Sequence, residues 1–529
     1  MTKGEQKMKS TKNKMSEGMT RREALKLSGL ALGSLAFGGA MAGPGAGTAR
    51  AQSCPTAPCY PTEFLKTQRY TYGPSAPFIP GTKIGSNEMR ITFLGSMFPP
   101  PRRANQEMSI FVEVGDAKGE ADQFVFDCGS GVCSNYDAML IGYGRMDKVF
   151  ISHLHGDHMS DLTHIYCFGP SGDRKSPLYV WGPGPSGVRS PKFPYRLYDD
   201  GTRAYCRHLR EAMRWHTESF SFQTTSYASY QPPTRESWGL PVQPIPVGDD
   251  SRDEGYALVP IQLDWRKYGK VPGDNVAYNN PKTGVKITHF PVIHTRQGSI
   301  GYKLEWNGLS MIYTSDTRPE THCIEQAKNG GNGVDVFIHE MLLPPELMAM
   351  KDMRLPEPLN YPGPLEWKTA VDQAQMIEDS SHSPQGAFGY ILSQITPRPR
   401  LTVATHFPVA DDTVECAVES VRNHCPDIRW QTEKLEDDNI AWSVDLMVIS
   451  VTAGDPKPKI VQKKGVVDDY GWPPLPRNPD DMNPPKYWKW GVDEQGNIAK
   501  VGDPTAQLDK STLIPAEEDG KENYCSNGY

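Results

Sequence analysis

The chain of 529 residues is 37% hydrophobic with a formal net charge of −7, enough apolar content to fill a sizeable core. Aromatic residues at 10% and charged residues at 22% exclude a wholly disordered chain, because disorder requires few aromatics and a dominant charge. No run of roughly 20 strongly apolar residues occurs beyond the extreme N-terminus, which argues against an integral membrane body.

Residues 1–51 begin with a basic, polar stretch, pass through Thr20-Arg21-Arg22-Glu23-Ala24-Leu25-Lys26 and continue as a Gly- and Ala-rich apolar run from Leu27 to Ala42. Gly29, Gly33, Gly38 and Gly39 keep that run weakly hydrophobic, which suits an export signal better than a permanent membrane helix. The pattern resembles a twin-arginine signal, and Ala49-Arg50-Ala51 offers a cleavage site that would leave Gln52 at the mature N-terminus. The resemblance implies passage through the twin-arginine export machinery, a periplasmic or secreted location and no permanent span in the mature chain. Residues 1–51 hold nine Lys/Arg and three Asp/Glu, so removing their +6 from −7 leaves −13. An acidic chain is a poor polyanion binder, and the sequence after residue 52 reads as having no basic stripe interleaved with aromatics; the expectation is that nucleic acid is not a partner. Cys54/Cys59 and Cys128/Cys133 are spaced for short-loop disulfides in an oxidising compartment, whereas no C-x-x-C pair supports a zinc ribbon.

Residues 52–88 are rich in Pro, Gly and Ser and read as an extended lead. Short strands follow at Met89–Leu94, Met108–Val114 and Gln123–Phe126, the last running into Asp127-Cys128-Gly129, and then at Lys148–Ser152. An aromatic-rich stretch of weak periodicity, about 195–282, reads as an insertion. Ser299–Glu305 and Ser310–Thr314 flank Asn307-Gly308, a pair suited to a two-residue hairpin turn. Val334–Ile338 and Leu401–Ala404 suggest buried strands, and Glu366–Glu378, the segment after Ser383-Pro384 and Thr413–Asn423 suggest helices. The mixture predicts α/β layering over 89–451, and 452–529 lacks periodicity and reads as an irregular extension.

The decisive stretch is Ile151-Ser152-His153-Leu154-His155-Gly156-Asp157-His158, which places three imidazoles and a carboxylate in six residues directly after an apolar strand. Zinc takes that ligand set. This H-x-H-x-D-H pattern, preceded by Phe126-Asp127-Cys128-Gly129, resembles the metallo-β-lactamase superfamily. Further positions match in family order: His294 ahead of Gly301-Tyr302, Asp316 in Tyr313-Thr314-Ser315-Asp316, and His406 in Ala404-Thr405-His406. The resemblance implies an αββα sandwich of two mixed β-sheets flanked by helices. It further implies two Zn2+ ions, with other divalent metals such as Mn2+ an alternative. His153, His155 and His294 would hold one metal, Asp157, His158 and His406 the other, and Asp316 would bridge them. His289, five residues before His294, competes for the third position, but the following Gly-Tyr favours His294.

Two adjacent dications lower the pKa of a bridging water towards about 7, so a hydroxide oriented by Asp157 is expected to attack an ester. Phe337-Ile338-His339-Glu340 and Ser381-His382-Ser383-Pro384 resemble elements of the ribonuclease Z-like branch, which also contains arylsulfatases and phosphodiesterases; Tyr179-Val180-Trp181-Gly182-Pro183 resembles a further element of it. By that resemblance His339, oriented by Glu340, would be the general acid and His382 would contact substrate. The export pattern and the charge of the mature chain point away from transfer RNA, so the expected substrate is a small-molecule phosphodiester or sulfate ester. A lactone or other carboxyl ester is the alternative on the same site, and a non-catalytic binding protein would normally have lost ligands that all stand here.

Overall fold

The computed structural model describes residues 78–101, 105–220, 256–270, 273–343, 345, 348–349, 364–409, 411–430, 432, 437–462, 489–492 and 498–501. The export segment and Cys54/Cys59 lie outside the described residues. Numbered in chain order, the strands are β1 (Glu88–Gly95), β2 (Ser109–Asp116), β3 (Gly119–Phe126), β4 (Lys148–Phe150), β5 (Leu178–Pro183), β6 (Leu258–Leu263), β7 (Val276–Asn280) and β8 (Val285–Pro291). They continue as β9 (Ile300–Trp306), β10 (Leu309–Tyr313), β11 (Val336–Glu340), β12 (Leu401–Thr405), β13 (Ile440–Trp442), β14 (Val448–Thr452) and β15 (Lys459–Gln462). One sheet runs β15-β14-β1-β2-β3-β4-β5-β6 and the other β13-β12-β11-β10-β9-β8-β7. A separate strand pair joins Lys489–Val492 to Ile498–Val501.

Strand alternation builds the layers. On β3, Phe124 and Phe126 face the other sheet, where they join Ile287, Tyr302, Tyr313 and Ile338 in one core. Val125 points the opposite way, into a second core made by Val132, Tyr136, Leu162, Ile165 and Leu209 of the covering helices. The second sheet does the same: Ile312 and Phe337 meet Ile324, Phe388, Ile391, Val418 and Val421 of the helices outside it. Two sheets with helices on both outer faces give the αββα sandwich expected. Each fully buried Phe or Leu contributes about 1.5–3 kcal/mol relative to exposure, so three contiguous cores hold the layers in a single arrangement.

Each sheet is half antiparallel and half parallel. β3, β4, β5 and β6 run parallel, as do β10, β11, β12 and β13. Parallel strands end at one edge of their sheet, and there the loops after β3, β4, β10 and β12 deliver Asp127, the His153–His158 segment, Asp316 and His406. The β9–β10 hairpin turns at Asn307 and Gly308 with φ of 49° and 76°, as the Asn-Gly pair requires. β6 and β7, inside the stretch read as an insertion, are edge strands of the two sheets, and β15 extends the first sheet past Thr452. Cys128 and Cys133 are free thiols rather than a disulfide, a correction with a packing cause: Cys128 is enclosed in the helix-side core. No described helix is long and apolar enough to cross a membrane.

Alternation also corrects the role expected of His339. Val336 and Ile338 face the core between the sheets, so Phe337 and His339 face the helices. His339 lies between the rings of Phe337 and Phe388 at 5.4 and 5.3 Å, and its Nδ1–H donates to the Glu340 carbonyl at 2.6 Å. Glu340 points to the opposite side. Burial pushes the His339 imidazole down to about 4, and burial does the same to His289 on β8. A histidine whose folded pKa is depressed favours the folded state least in acid: as pH falls below about 6.5 the unfolded chain binds protons that the folded chain refuses. Thermal or denaturant unfolding should therefore show stability falling between pH 6.5 and 4, by up to about 3 kcal/mol for each residue, and His339→Leu should flatten that slope.

Candidate metal centre

The loop after β4 carries His153 and His155, and the single helical turn Gly156–Met159 carries Asp157 and His158. Their backbone is tied to neighbouring loops: Cys128 N–H donates to the His158 carbonyl at 2.7 Å and Met108 N–H to the Asp157 carbonyl at 3.1 Å. Gly129 makes this approach possible, since a Cβ there would stand 2.1 Å from the Asp157 carbonyl oxygen. On the second sheet, His294 follows β8, Asp316 follows β10 and His406 follows β12.

These residues converge. His153, His155 and His294 form one group of donors and Asp157, His158, Asp316 and His406 another, the donor atoms of each lying within 4.8 Å of one another. His294 Nε2 stands 3.0 Å from His155 Nδ1. In the second group, His158 Nε2 is 3.3 Å from Asp157 Oδ2 and 3.2 Å from Asp316 Oδ1; His406 Nε2 is 3.3 Å from Asp157 Oδ2 and 3.4 Å from Asp316 Oδ2. Asp316 Oδ2 also lies 4.0 Å from His153 Nε2 and 3.8 Å from His294 Nε2, so its carboxylate spans both groups. Donors around a tetrahedral zinc with bonds of about 2.0–2.1 Å stand roughly 3.4 Å apart, which these separations fit. His289 joins neither group.

Buried polar atoms that make no hydrogen bond point to the same fit. His153 Nε2, His158 Nε2 and Asp316 Oδ1 are buried with no hydrogen bond, and unsatisfied buried polar atoms are costly unless a ligand takes them up. Protonation follows the environment. Burial, reinforced by neighbouring imidazoles, holds His153 and His294 well below the usual histidine range, in the neutral form a metal requires. Burial pushes Asp157 and Asp316 up, but His158 beside them more than offsets this and holds both well below the usual carboxylate range. The same carboxylates overcome burial at His158 and raise it.

The residues that aim these ligands were less evident in sequence. His158 Nδ1–H donates to Asp127 Oδ2 at 2.8 Å and His294 Nδ1–H to the Ser381 carbonyl at 2.8 Å, each turning Nε2 toward the cluster. Asp127, Ser315 and His406 all adopt left-handed backbone, with φ of 56°, 56° and 57°, a strain retained where surrounding contacts enforce it. His382, expected to contact substrate, lies against the cluster: its ring is 5.0 Å from that of His294 and stacks at 5.5 Å on His406. Its Nδ1 is 2.9 Å from Glu340 Oε2. Glu340 therefore orients His382, not His339.

No family model matches the chain. Two curated relatives are similar over about half of it. Ribonuclease BN of Proteus mirabilis is 23% identical over 253 residues, 48% of this chain and 76% of the relative. Ribonuclease Z of Natronomonas pharaonis is 25% identical over 260 residues, 48% of this chain and 74% of the relative. A solved metallo-β-lactamase fold protein of Bacillus subtilis aligns with 69% of the chain and 100% of its own length, at 14% identity and a TM-score of 0.38. By its likeness to the two ribonucleases the chain is a hydrolase.

The relatives overturn one expectation. The export pattern, the charge of the mature chain and a sequence that reads as lacking a basic stripe lead to the expectation of a small-molecule ester with no nucleic-acid partner, yet both relatives are ribonucleases. Net charge sums the whole chain, whereas a substrate responds to the field near the site, within a Debye length of about 8 Å at physiological salt.

Metal analysis of the purified protein should find about two zinc ions per chain, with His294→Ala reducing the count and Asp316→Ala reducing it further. Asp127→Asn, which removes the acceptor that aims His158, should weaken zinc affinity by about 10–100-fold in a competition titration.

Proposed function

We propose that the protein is a dinuclear metal-dependent phosphodiesterase that cleaves RNA, and that residues 1–51 direct it through the twin-arginine route to the periplasm or beyond. The observation that carries the chemical reading is the His382–Glu340 pair set against a two-group ligand cluster; the ribonuclease relatives support the substrate. His153, His155 and His294 would hold one ion, Asp157, His158 and His406 the second, with Asp316 between them. Bound there, the metals would supply Lewis acidity at the phosphoryl oxygens and a water nucleophilic near neutral pH.

The protein's own groups manage the protons. Asp157, held ionised chiefly by His158, accepts hydrogen bonds from the attacking water and fixes its direction. On the other side, burial pushes the Glu340 carboxyl up and the His382 imidazole down, both shifts favouring the uncharged pair with one proton between Nδ1 and Oε2. As the P–O bond breaks, His382 Nε2 delivers a proton to the departing oxygen while Nδ1 takes up the proton shared with Glu340. Thr317 N–H donates to Glu340 Oε1 and keeps the carboxyl turned toward His382. His382 is the more exposed partner, its side chain 12% accessible against none for Glu340, so substrate can reach it.

His382→Ala should slow cleavage of RNA, with its poor alkoxide leaving group, by about 10²–10⁴-fold, and should slow bis-p-nitrophenyl phosphate much less. Equal losses on the two substrates would remove His382 from the acid role, and preferential turnover of p-nitrophenyl sulfate or a lactone would overturn the phosphodiesterase reading. Loss of the pair's proton sets an alkaline limit to activity; Glu340→Gln should move that limit to lower pH in a rate profile. Replacing Arg21 and Arg22 together with Lys should leave the full-length precursor inside the cell, as measured by fractionation.

A further inference from the structure

One exposed segment beside the site combines aromatic rings with unpaired positive charge. Val188-Arg189-Ser190-Pro191-Lys192-Phe193-Pro194-Tyr195-Arg196-Leu197-Tyr198 holds three cations, three aromatics and no acidic residue, a basic stripe interleaved with aromatics despite the acidic net charge. Its large apolar side chains stand in solvent: Phe193 is 84% exposed, Tyr195 55%, Leu197 57% and Tyr198 41%. Such rings in water are unfavourable unless something covers them.

The segment is folded back on itself. Ser190 N–H donates to the Arg196 carbonyl at 2.8 Å, Tyr198 N–H to the Val188 carbonyl at 2.9 Å and Arg189 Nη1 to the Tyr195 carbonyl at 3.4 Å. Phe193 and Tyr195 stand edge to face with centroids 6.0 Å apart. Arg189, Lys192 and Arg196 make no ion pair among the described residues, so their charge is available to a polyanion.

Its position ties it to the metal centre. The segment leaves the end of β5, the strand beside β4, which delivers His153 and His155. At its base, Arg296, two residues after His294, donates to Asp200 Oδ2 at 2.8 Å and lies 5.1 Å above the Tyr198 ring. Asp200 in turn accepts from Ser186 N–H at 2.9 Å and Ser186 Oγ–H at 2.6 Å. The segment is thereby anchored to the loop that carries a candidate ligand.

We infer that residues 188–198 are a stacking arm that holds single-stranded RNA beside the scissile phosphodiester. The inference rests on the phosphodiesterase reading for its substrate. Bases stack on Phe193, Tyr195 and Tyr198 irrespective of sequence, because every base presents a π-face, while Arg189, Lys192 and Arg196 follow the phosphates. Charge complementarity selects a polyanion over a second copy of this acidic chain.

The test is fluorescence anisotropy of a labelled oligouridylate with the full-length protein in EDTA, where turnover makes no contribution. Phe193→Ala/Tyr195→Ala should weaken binding by roughly tenfold or more with an unchanged thermal midpoint. Arg196→Gln should lessen the slope of log affinity against log salt by about 0.7. Equal binding by wild type and the double variant, or a double variant that loses self-association while retaining RNA, overturns the arm. Binding that depends on these rings in a protein that cleaves no RNA once zinc is restored keeps the arm and removes the phosphodiesterase reading; cleavage with ring-independent binding removes the arm alone.

Discussion

A single buried carboxylate ties the two sheets together at the edge where the ligands gather. Asp127, at the end of β3 and without solvent exposure, accepts from Ser152 N–H at 2.7 Å, Ser152 Oγ–H at 2.7 Å and His158 Nδ1–H at 2.8 Å on its own sheet. From the facing sheet it accepts the Tyr313 hydroxyl at 2.7 Å and the Ser315 hydroxyl at 3.3 Å. Ser152 and Ser315 lie next to candidate ligands in sequence, His158 is one, and Tyr313 lies three residues before Asp316. The position of Asp316 relative to His153 and His158, and so the span between the two donor groups, depends on this contact. Removing one member of such a network leaves a buried charge or donor uncompensated, which costs far more than the net worth of one hydrogen bond.

Around that anchor the protein concentrates charge where water is scarce. Carboxylates and imidazoles at separations of 3.2–4.0 Å neutralise one another, with Asp316 at the centre. The same closeness makes the cluster a candidate metal site: three imidazoles on one side, and carboxylates with His158 and His406 on the other, form a donor set of nitrogen and hard oxygen. The neighbouring His382–Glu340 pair, 2.9 Å apart, lies against the same cluster. Residues 188–198, anchored through Arg296, lie on the same edge, so the candidate ligands, the His382–Glu340 pair and this basic aromatic segment share one rim of the sandwich.

The acidic net charge illustrates how a global sum misleads about a local surface. A chain whose sequence after residue 51 sums to −13 still presents three cations among exposed rings within eleven residues beside the site. A polyelectrolyte substrate responds to that local field, and charges beyond a Debye length are screened. Compartment and substrate also do not determine each other: an export pattern says where a protein travels, not which phosphodiester it cleaves.

Much of the centre was legible in the sequence, because its ligands are short-range signals. His153, His155, Asp157 and His158 fall in one loop, and His294, Asp316 and His406 follow apolar strands whose ends a mixed sheet brings to one edge. The β9–β10 hairpin was equally legible from Asn307-Gly308, since few residues tolerate two successive positive φ angles. The pairings across the chain were not. Neighbouring letters suggested that Glu340 serves His339, but a strand turns adjacent side chains to opposite faces; packing sent His339 into the helix layer beside Phe388 and left Glu340 to meet His382, 42 residues away. The Cys128/Cys133 spacing suggested a disulfide, yet the core enclosed Cys128 as a thiol. Sequence by itself determined the strand periodicity, the ligand types and their order. Tertiary structure alone decided which buried groups face one another, because that depends on which side of each strand a residue occupies and which sheet lies across from it.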